Sequence, residues 1–492
     1  MTDIHIHPVI GLEIHVELRT ASKLFCRCRN SFGEPPNTNV CPVCLGMPGV
    51  LPVINKKAVE LAMKAGLALN CTICDFTKWD RKGYYYPDLP KNFQTSQYDL
   101  PLCVHGFLEI PLPSGETKKI RILRAHLEED AGKNLHDNPS YTAVDLNRAG
   151  IPLLEIVSEP DMNSVEEAAS YAREMRRLIR WINVSAANME EGQMRFEPNI
   201  NLHITWKGEK YVTPIIEVKN LNSFKFLEAA IYYEIERQRA EWEKDPEGYT
   251  LAKLGKQNMG FDVTAQKTVY QREKEEEHEY RYFPEPDLVP VMVDEKWRDE
   301  ITSSIPELPL ARCQRYREHY GLDQMILDPL TQDCETGDLL DKTVALGADP
   351  RRCATLLAGK GAQIANEKGI KIAEIGMSPH HLAQLALLLT EGKINSTAGN
   401  TIFERVIATG RSPEEVAREE NLLVVFDHQA LTGWIEEAIA ENPKAVEEIK
   451  EGGKKEKKSF NFLVGQVMKK SRGTAPPLEV QKIVREKLKG AP

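Results

Sequence analysis

From Val9 to Leu18 apolar and polar residues alternate. Leu12, Ile14, Val16 and Leu18 fall on one side, and Glu13, His15 and Glu17 on the other. That period predicts a strand with one buried face. The pattern then turns helical: Ala58, Leu61, Ala62, Ala65 and Leu69 recur at helical spacing within residues 55–70. Val165, Ala168, Ala169, Ala172, Met175, Ile179 and Ile182 do the same behind Ser164, which with Glu167 has the form of a capping box. The prolines of Pro284-Glu285-Pro286-Asp287-Leu288-Val289-Pro290 predict an exit from a first, mixed α/β domain. Beyond them nearly every periodic segment is helical. Ser378-Pro379 and Ser412-Pro413 read as an N-cap followed by a first-turn proline. The expected fold class is therefore α+β, with a mixed domain at 1–295 and helical domains at 296–411 and 412–492. Gly452-Gly453-Lys454-Lys455 forms a loop within the last.

Composition narrows the picture. A hydrophobic fraction of 41% and a charged fraction of 28% describe an ordinary soluble protein. No apolar run approaches the roughly 20 residues of a membrane span. Met1-Thr2-Asp3-Ile4-His5-Ile6-His7 lacks the basic and apolar regions of a signal peptide. The expected compartment is the cytoplasm, with no membrane partner. The net charge of −10 argues against a chain coated in nucleic acid. Yet Lys450–Pro492 holds 12 Lys and Arg against 4 Glu, a local net of +8. Such a segment is either the footprint of a phosphate-backbone partner or a solvated tail.

Two kinds of metal signal follow. Cys26-Arg27-Cys28 and Cys41-Pro42-Val43-Cys44 are separated by twelve residues that include Pro35, Pro36 and Asn37. Two close cysteine pairs on a turn-rich loop can deliver four thiolates to one structural zinc; the alternative is four reduced thiols. Cys71 and Cys74 form a second close pair with no matching partner pair, and read as core thiols. Glu13 and His15 share a polar strand face and suit a divalent ion only if a partner supplies more ligands. Leu127-Glu128-Glu129-Asp130-Ala131-Gly132-Lys133 is a dense acidic cluster that could do so. Strand parity places Glu128, not Glu129, with His126 and Asp130. There is no Walker A pattern, so any use of ATP does not involve a P-loop.

These segments together resemble the B-subunit family of the aspartyl/glutamyl-tRNA amidotransferases, related to an archaeal E-type subunit. The likeness is carried by Val9–Leu18, Cys41–Gly49, Asp80–Lys91, the Leu127–Lys133 cluster, Val144–Asp161, Glu217–Phe224, Tyr280–Pro284 and Asn461–Met468. It runs from about residue 9 to 489. Two stretches depart from the family pattern. Gln193-Met194-Arg195-Phe196-Glu197-Pro198-Asn199 introduces a Phe and a Pro, which weakens the case for a role of residues 196–198. Val263-Thr264-Ala265-Gln266-Lys267-Thr268 lacks an expected Arg.

The resemblance implies a cradle-like catalytic domain on a largely antiparallel sheet, followed by two all-α domains. It implies ATP-dependent phosphorylation of the side-chain carboxylate of Glu-tRNA(Gln), Asp-tRNA(Asn) or both, then amidation by ammonia. Mg²⁺ would be held by Glu13, His15 and Glu129, with Glu128 and Glu155 as further candidates. Lys82 and Lys91 match lysines near the reaction site or the ammonia path. Asn147, Arg148 and Lys133 are candidates for ATP or substrate. Lys454, Lys455, Lys469, Lys470 and Arg472 would hold tRNA. The implied partners are an amidase A subunit and a small C subunit in a heterotrimer. A non-catalytic tRNA-binding module and the E-type subunit are the competing readings.

Overall fold

The computed structural model describes residues 4–138, 140–219, 221–273, 280–423, 428–451, 456–471, 475 and 477–489. The chain divides into two compact units, Met1–Leu308 and Pro309–Pro492. Among the described residues no helix is long and apolar enough to cross a membrane.

A ten-stranded sheet organises the first unit. Nine of its strands run in the order Lys267–Glu273, Lys256–Asp262, Ile215–Lys219, Met194–Trp206, Ile4–Glu17, Pro152–Ser158, Thr117–Glu129, Cys103–Pro111, Thr72–Ile73. Every pairing is antiparallel except that of Ile215–Lys219 with Lys256–Asp262. In the strand Ile4–Glu17 burial alternates from Leu12 to Glu17, after the consecutive buried residues Ile10, Gly11 and Leu12. Leu12, Ile14 and Val16 are fully buried, worth about 1.5–3 kcal/mol each relative to exposure.

Helices close the apolar side of this sheet. Helix Phe224–Lys244 sets Phe224 against Phe196, ring centroids 5.7 Å apart. Helix Lys56–Ala68 brings Gly66 so near Cys103 that an added Cβ would lie 2.4 Å from its Sγ. Helix Val165–Trp181 packs on the strand Cys103–Pro111. Ser164 caps that helix by accepting from the Glu167 N–H, but the Glu167 carboxylate accepts from the Asn163 N–H, not from Ser164. The other side of the sheet is left free for polar side chains.

The expected exit at the proline segment is a correction. Phe283–Pro284 pairs with Asp80–Arg81, and Val291–Met292 pairs with Phe76–Thr77. The Glu285 N–H donates to Trp79, and the carboxylate forms a two-bond pair with Arg81. Helix Glu295–Ser303 stays with the same unit through Lys56 over Trp297 and Arg298 against Asp75. The boundary therefore lies at Leu308/Pro309, not 295/296.

The second unit is helical throughout its described residues. One apolar core runs from Tyr316 to Ala417 and another from Leu431 to Val484. Ser378 and Ser412 cap their helices with Pro at the first turn, and Ser412 forms a full capping box with Glu415. Val416 and Ala417, on the helix that opens at Pro413, pack into the first of these cores. The two cores thus part between Ala417 and Leu431, later than the expected 411/412.

Candidate functional site

Register gathers the site on the polar side of the sheet. His15 stands opposite Glu155, and Glu155 opposite His126. On the other flank Glu13 stands opposite Glu197, and Asn199 opposite Glu217. With a side-chain period of two, the even positions 126, 128 and 130 join the odd positions 13, 15, 17, 155, 195, 197, 199, 217 and 219 on one surface.

Two groups of oxygen and nitrogen donors result. His15, Glu128 and Glu155 offer atoms all within 4.8 Å of one another. His15 Nε2 lies 3.7 Å from Glu128 and 3.6 Å from Glu155. Glu13, Glu197 and Glu217 form the second group on the same criterion. Asn199 donates to Glu13 at 2.9 Å, while Lys219 sits 2.6 Å from Glu197 and also pairs with Glu217.

The electrostatics follow from burying so much charge together. Burial would pull the His15 pKa down. A hydrogen bond to Glu155 and the charges of Glu197, Glu155 and Glu128 outweigh it and raise the value to about 9. Burial, then the charge of Glu155, lifts Glu128 to about 7. Burial opposes the charge on Glu155, but His126, His15 and Lys82 hold it well below the usual range. Lys219 and His15 overcome burial to bring Glu197 down to about 2. His126 is driven down to about 4, chiefly by burial.

Lys82 enters from the hairpin Asp80–Gly83/Phe93–Ser96. Its ammonium lies 4.9 Å from the Tyr280 ring centroid. Burial works against this charge, but Tyr282, Glu128 and Glu155 raise its pKa above the ordinary lysine range.

Glu129 points elsewhere. Its carboxylate pairs with Lys91 and accepts the Thr95 N–H at 2.8 Å. Both line a separate cavity of about 240 Å³ walled also by Cys26, Cys44, Gly46, Arg81 and Glu285. Among the expected ligands, then, Glu128 and Glu155 are brought to His15. Glu13 joins Glu197 and Glu217, and Glu129 joins Lys91.

The four cysteines Cys26, Cys28, Cys41 and Cys44 place their sulfurs within 4.8 Å of one another. Hydrogen bonding to Cys26, followed by smaller contributions that include the Lys23 charge, pulls the Cys44 thiol down to about 5 against the effect of burial. Four convergent soft donors fit a tetrahedral zinc with no open position.

The remaining candidates are spread out. Asn147 accepts the Asn39 N–H at 2.8 Å and donates to the Pro35 carbonyl at 2.7 Å, so it clamps the cysteine loop. Arg148 donates to the Ala131 and Gly132 carbonyls and lies 3.4 Å from Asp130. Lys133 is exposed. Lys470 is engaged by Glu437 and Glu441, and Lys469 is exposed. Lys454, Lys455 and Arg472 lie outside the described residues.

Sequence reasoning missed Arg195, Glu197, Asn199, Glu217 and Lys219. Within residues 196–198, where the sequence left a role in doubt, Glu197 is brought into the second acidic group. Alternation of Arg195, Glu197 and Asn199 with Phe196, Pro198 and Ile200 was the available signal.

A family model described as GatB/GatE catalytic domain matches residues 8–299, and one described as GatB domain matches residues 338–488. A relative in Thermoanaerobacter pseudethanolicus, the B subunit of its aspartyl/glutamyl-tRNA(Asn/Gln) amidotransferase, is 45% identical over 480 residues, 98% of each chain. Proteins of the same name in Thermodesulfovibrio yellowstonii and Rhodopirellula baltica are 44% and 43% identical. They cover 98% and 95% of this chain and 99% and 94% of their own.

Proposed function

The chain belongs to the family of aspartyl/glutamyl-tRNA(Asn/Gln) amidotransferase B subunits, and we propose that its polar sheet face activates the side-chain carboxylate of Glu-tRNA(Gln), Asp-tRNA(Asn) or both for amidation. The observation that carries this reading is the convergence of His15, Glu128 and Glu155 beside the half-buried Lys82.

A carboxylate is a poor acyl donor because oxide would have to leave. In the proposed reaction a carboxylate oxygen attacks the γ-phosphorus of ATP and ADP departs. Ammonia then attacks the acyl carbon, and phosphate leaves with the electron pair of the broken C–O bond. Such transfer depends on positioning and charge neutralisation more than on covalent help.

His15, Glu128 and Glu155 form a donor set suited to Mg²⁺, with Glu13, Glu197 and Glu217 as a second such set. Bound there, Mg²⁺ would neutralise charge developing on phosphate oxygens. Lys82 supplies an ammonium beside the same carboxylates, with the Tyr280 ring against it. Lys219 keeps Glu197 ionised in its buried position and pairs with Glu217 as well. Asp130 is held by Arg195 at 2.9 Å and by Arg148, which fixes the end of the strand that bears Glu128.

Zinc at the four cysteines would be structural. Amide nitrogen would come from an amidase A subunit, with a small C subunit completing the heterotrimer. The second unit, with exposed Lys469, would hold the tRNA by backbone contacts. The test is formation of Gln-tRNA from Glu-tRNA by the reconstituted complex with ATP, Mg²⁺ and free ammonium. Ammonium bypasses the glutaminase. Conversion by the wild type and its loss in His15→Ala, with tRNA still bound, supports the assignment. A wild-type complex that binds tRNA without converting it refutes the assignment.

A further inference from the structure

Lys23 is fully buried, and its ammonium is directed at the cysteine cluster. Nζ lies 3.0 Å from the Asn39 carbonyl, 3.5 Å from the Leu146 carbonyl and 3.8 Å from Cys44 Sγ. Three acceptors match the three N–H bonds of an ammonium. None of these acceptors is a carboxylate. A lysine charge is almost never fully buried unless paired, and among these three partners only the sulfur can carry a negative charge.

The cluster has the complementary need. Four thiolates around one divalent ion carry a net charge of −2, and Cys44 is itself buried. The position of Lys23 in the chain suits the task. Its N–H donates to the Cys28 carbonyl, and the next N–H, of Leu24, donates to Gly150. The backbone of Lys23 and Leu24 thus ties Cys28 to Gly150, while the Lys23 side chain ties Asn39 and Cys44 to Leu146. Gly150, at φ +84°, leaves the space between Lys23, Cys44 and Glu129 open.

We propose that Lys23 is a positioning residue of the four-cysteine site, its buried ammonium offsetting thiolate charge at Cys44 and pinning the loaded cluster to the Leu146 loop. This goes beyond the amidation reading and stands or falls independently of it. Partners in this position around a metal typically alter affinity 10–100-fold when removed.

The test uses the full chain and Zn²⁺ itself, titrated against a chromogenic chelator, with the thiolate-to-metal charge-transfer band of the Co²⁺ form as second readout. Lys23→Met removes charge and hydrogen bonds. Lys23→Gln removes the charge but keeps a shorter amide with two N–H donors, so it remains informative where the Met variant does not fold. The expected result is one zinc per wild-type chain, affinity about 10–100-fold lower in Lys23→Gln, and a shifted Co²⁺ band. Wild-type affinity and an unshifted band in Lys23→Gln would overturn the proposal, as would a wild-type chain that takes no zinc.

Discussion

His15 and Glu128 meet at 3.7 Å although their strands are not neighbours; the strand Pro152–Ser158 runs between them and contributes Glu155 to the same point. Three chain segments far apart in sequence therefore build one donor set. Strand parity alone decides which member of the Glu128-Glu129 pair takes part.

That parity separates the two glutamates functionally. With saturating free ammonium, Glu128→Gln should lower ATP-dependent Gln-tRNA formation by about 10²–10³-fold, the usual cost of a lost electrostatic contact at a reacting centre. Glu129→Gln should lower it by less than about tenfold, because it faces Lys91 in a different cavity. Equal losses in steady-state assays of the two variants would contradict the placement.

Lys219 holds two buried carboxylates together. Lys219→Met should shift the urea midpoint down by the equivalent of about 3 kcal/mol, since it removes the cation hydrogen-bonded to both Glu197 and Glu217. Mg²⁺ should recover more stability in the variant than in the wild type. An unchanged midpoint would show that the lysine is dispensable.

Glu285 gives a pH signature away from the donor sets. Burial pushes its pKa up, but the hydrogen bonds and charge of Arg81 prevail and hold it below its usual value of 4.5. A depressed folded pKa contributes stability above about 4.5 that is lost as pH falls through the folded value. Thermal melts between about pH 3 and 7 should therefore converge for wild type and Glu285→Gln at the acid end and diverge toward neutrality. Parallel curves would rule out the pair as a source of acid sensitivity.

Gly46 and Gly49 offer a matched comparison. Both have positive φ, +65° and +83°. A Cβ at Gly46 would lie 2.5 Å from Lys91 Cγ, whereas one at Gly49 has nothing within 4 Å. Both Ala variants should lose about 1–2 kcal/mol from the backbone. Gly46→Ala should lose more, with Lys91 displaced from Glu129. Equal melting temperatures for the two would contradict that packing.

Much of this was legible in the sequence where a pattern had a short period. The alternation at Val9–Leu18, the helix behind Ser164 and the capping of Ser412 all follow from local chemistry. So did the parity argument for Glu128. The second acidic group was not legible, because Glu13, Glu197 and Glu217 meet only through strand order, which no local pattern encodes. The proline segment misled for a related reason. Its turns are real, but the Arg81–Glu285 pair and two short strand pairings fold it back instead of releasing it. Lys23 carried no sequence signal, since a lone lysine near cysteines is ordinarily a solvated one.

The most direct test measures ADP released from ATP by the reconstituted complex when Glu-tRNA is present and every ammonia source is withheld. The wild type should release ADP only when Glu-tRNA is present. Glu128→Gln should release almost none while binding Glu-tRNA with wild-type affinity. Wild-type release from Glu128→Gln would contradict the central claim that the His15, Glu128 and Glu155 group activates the carboxylate.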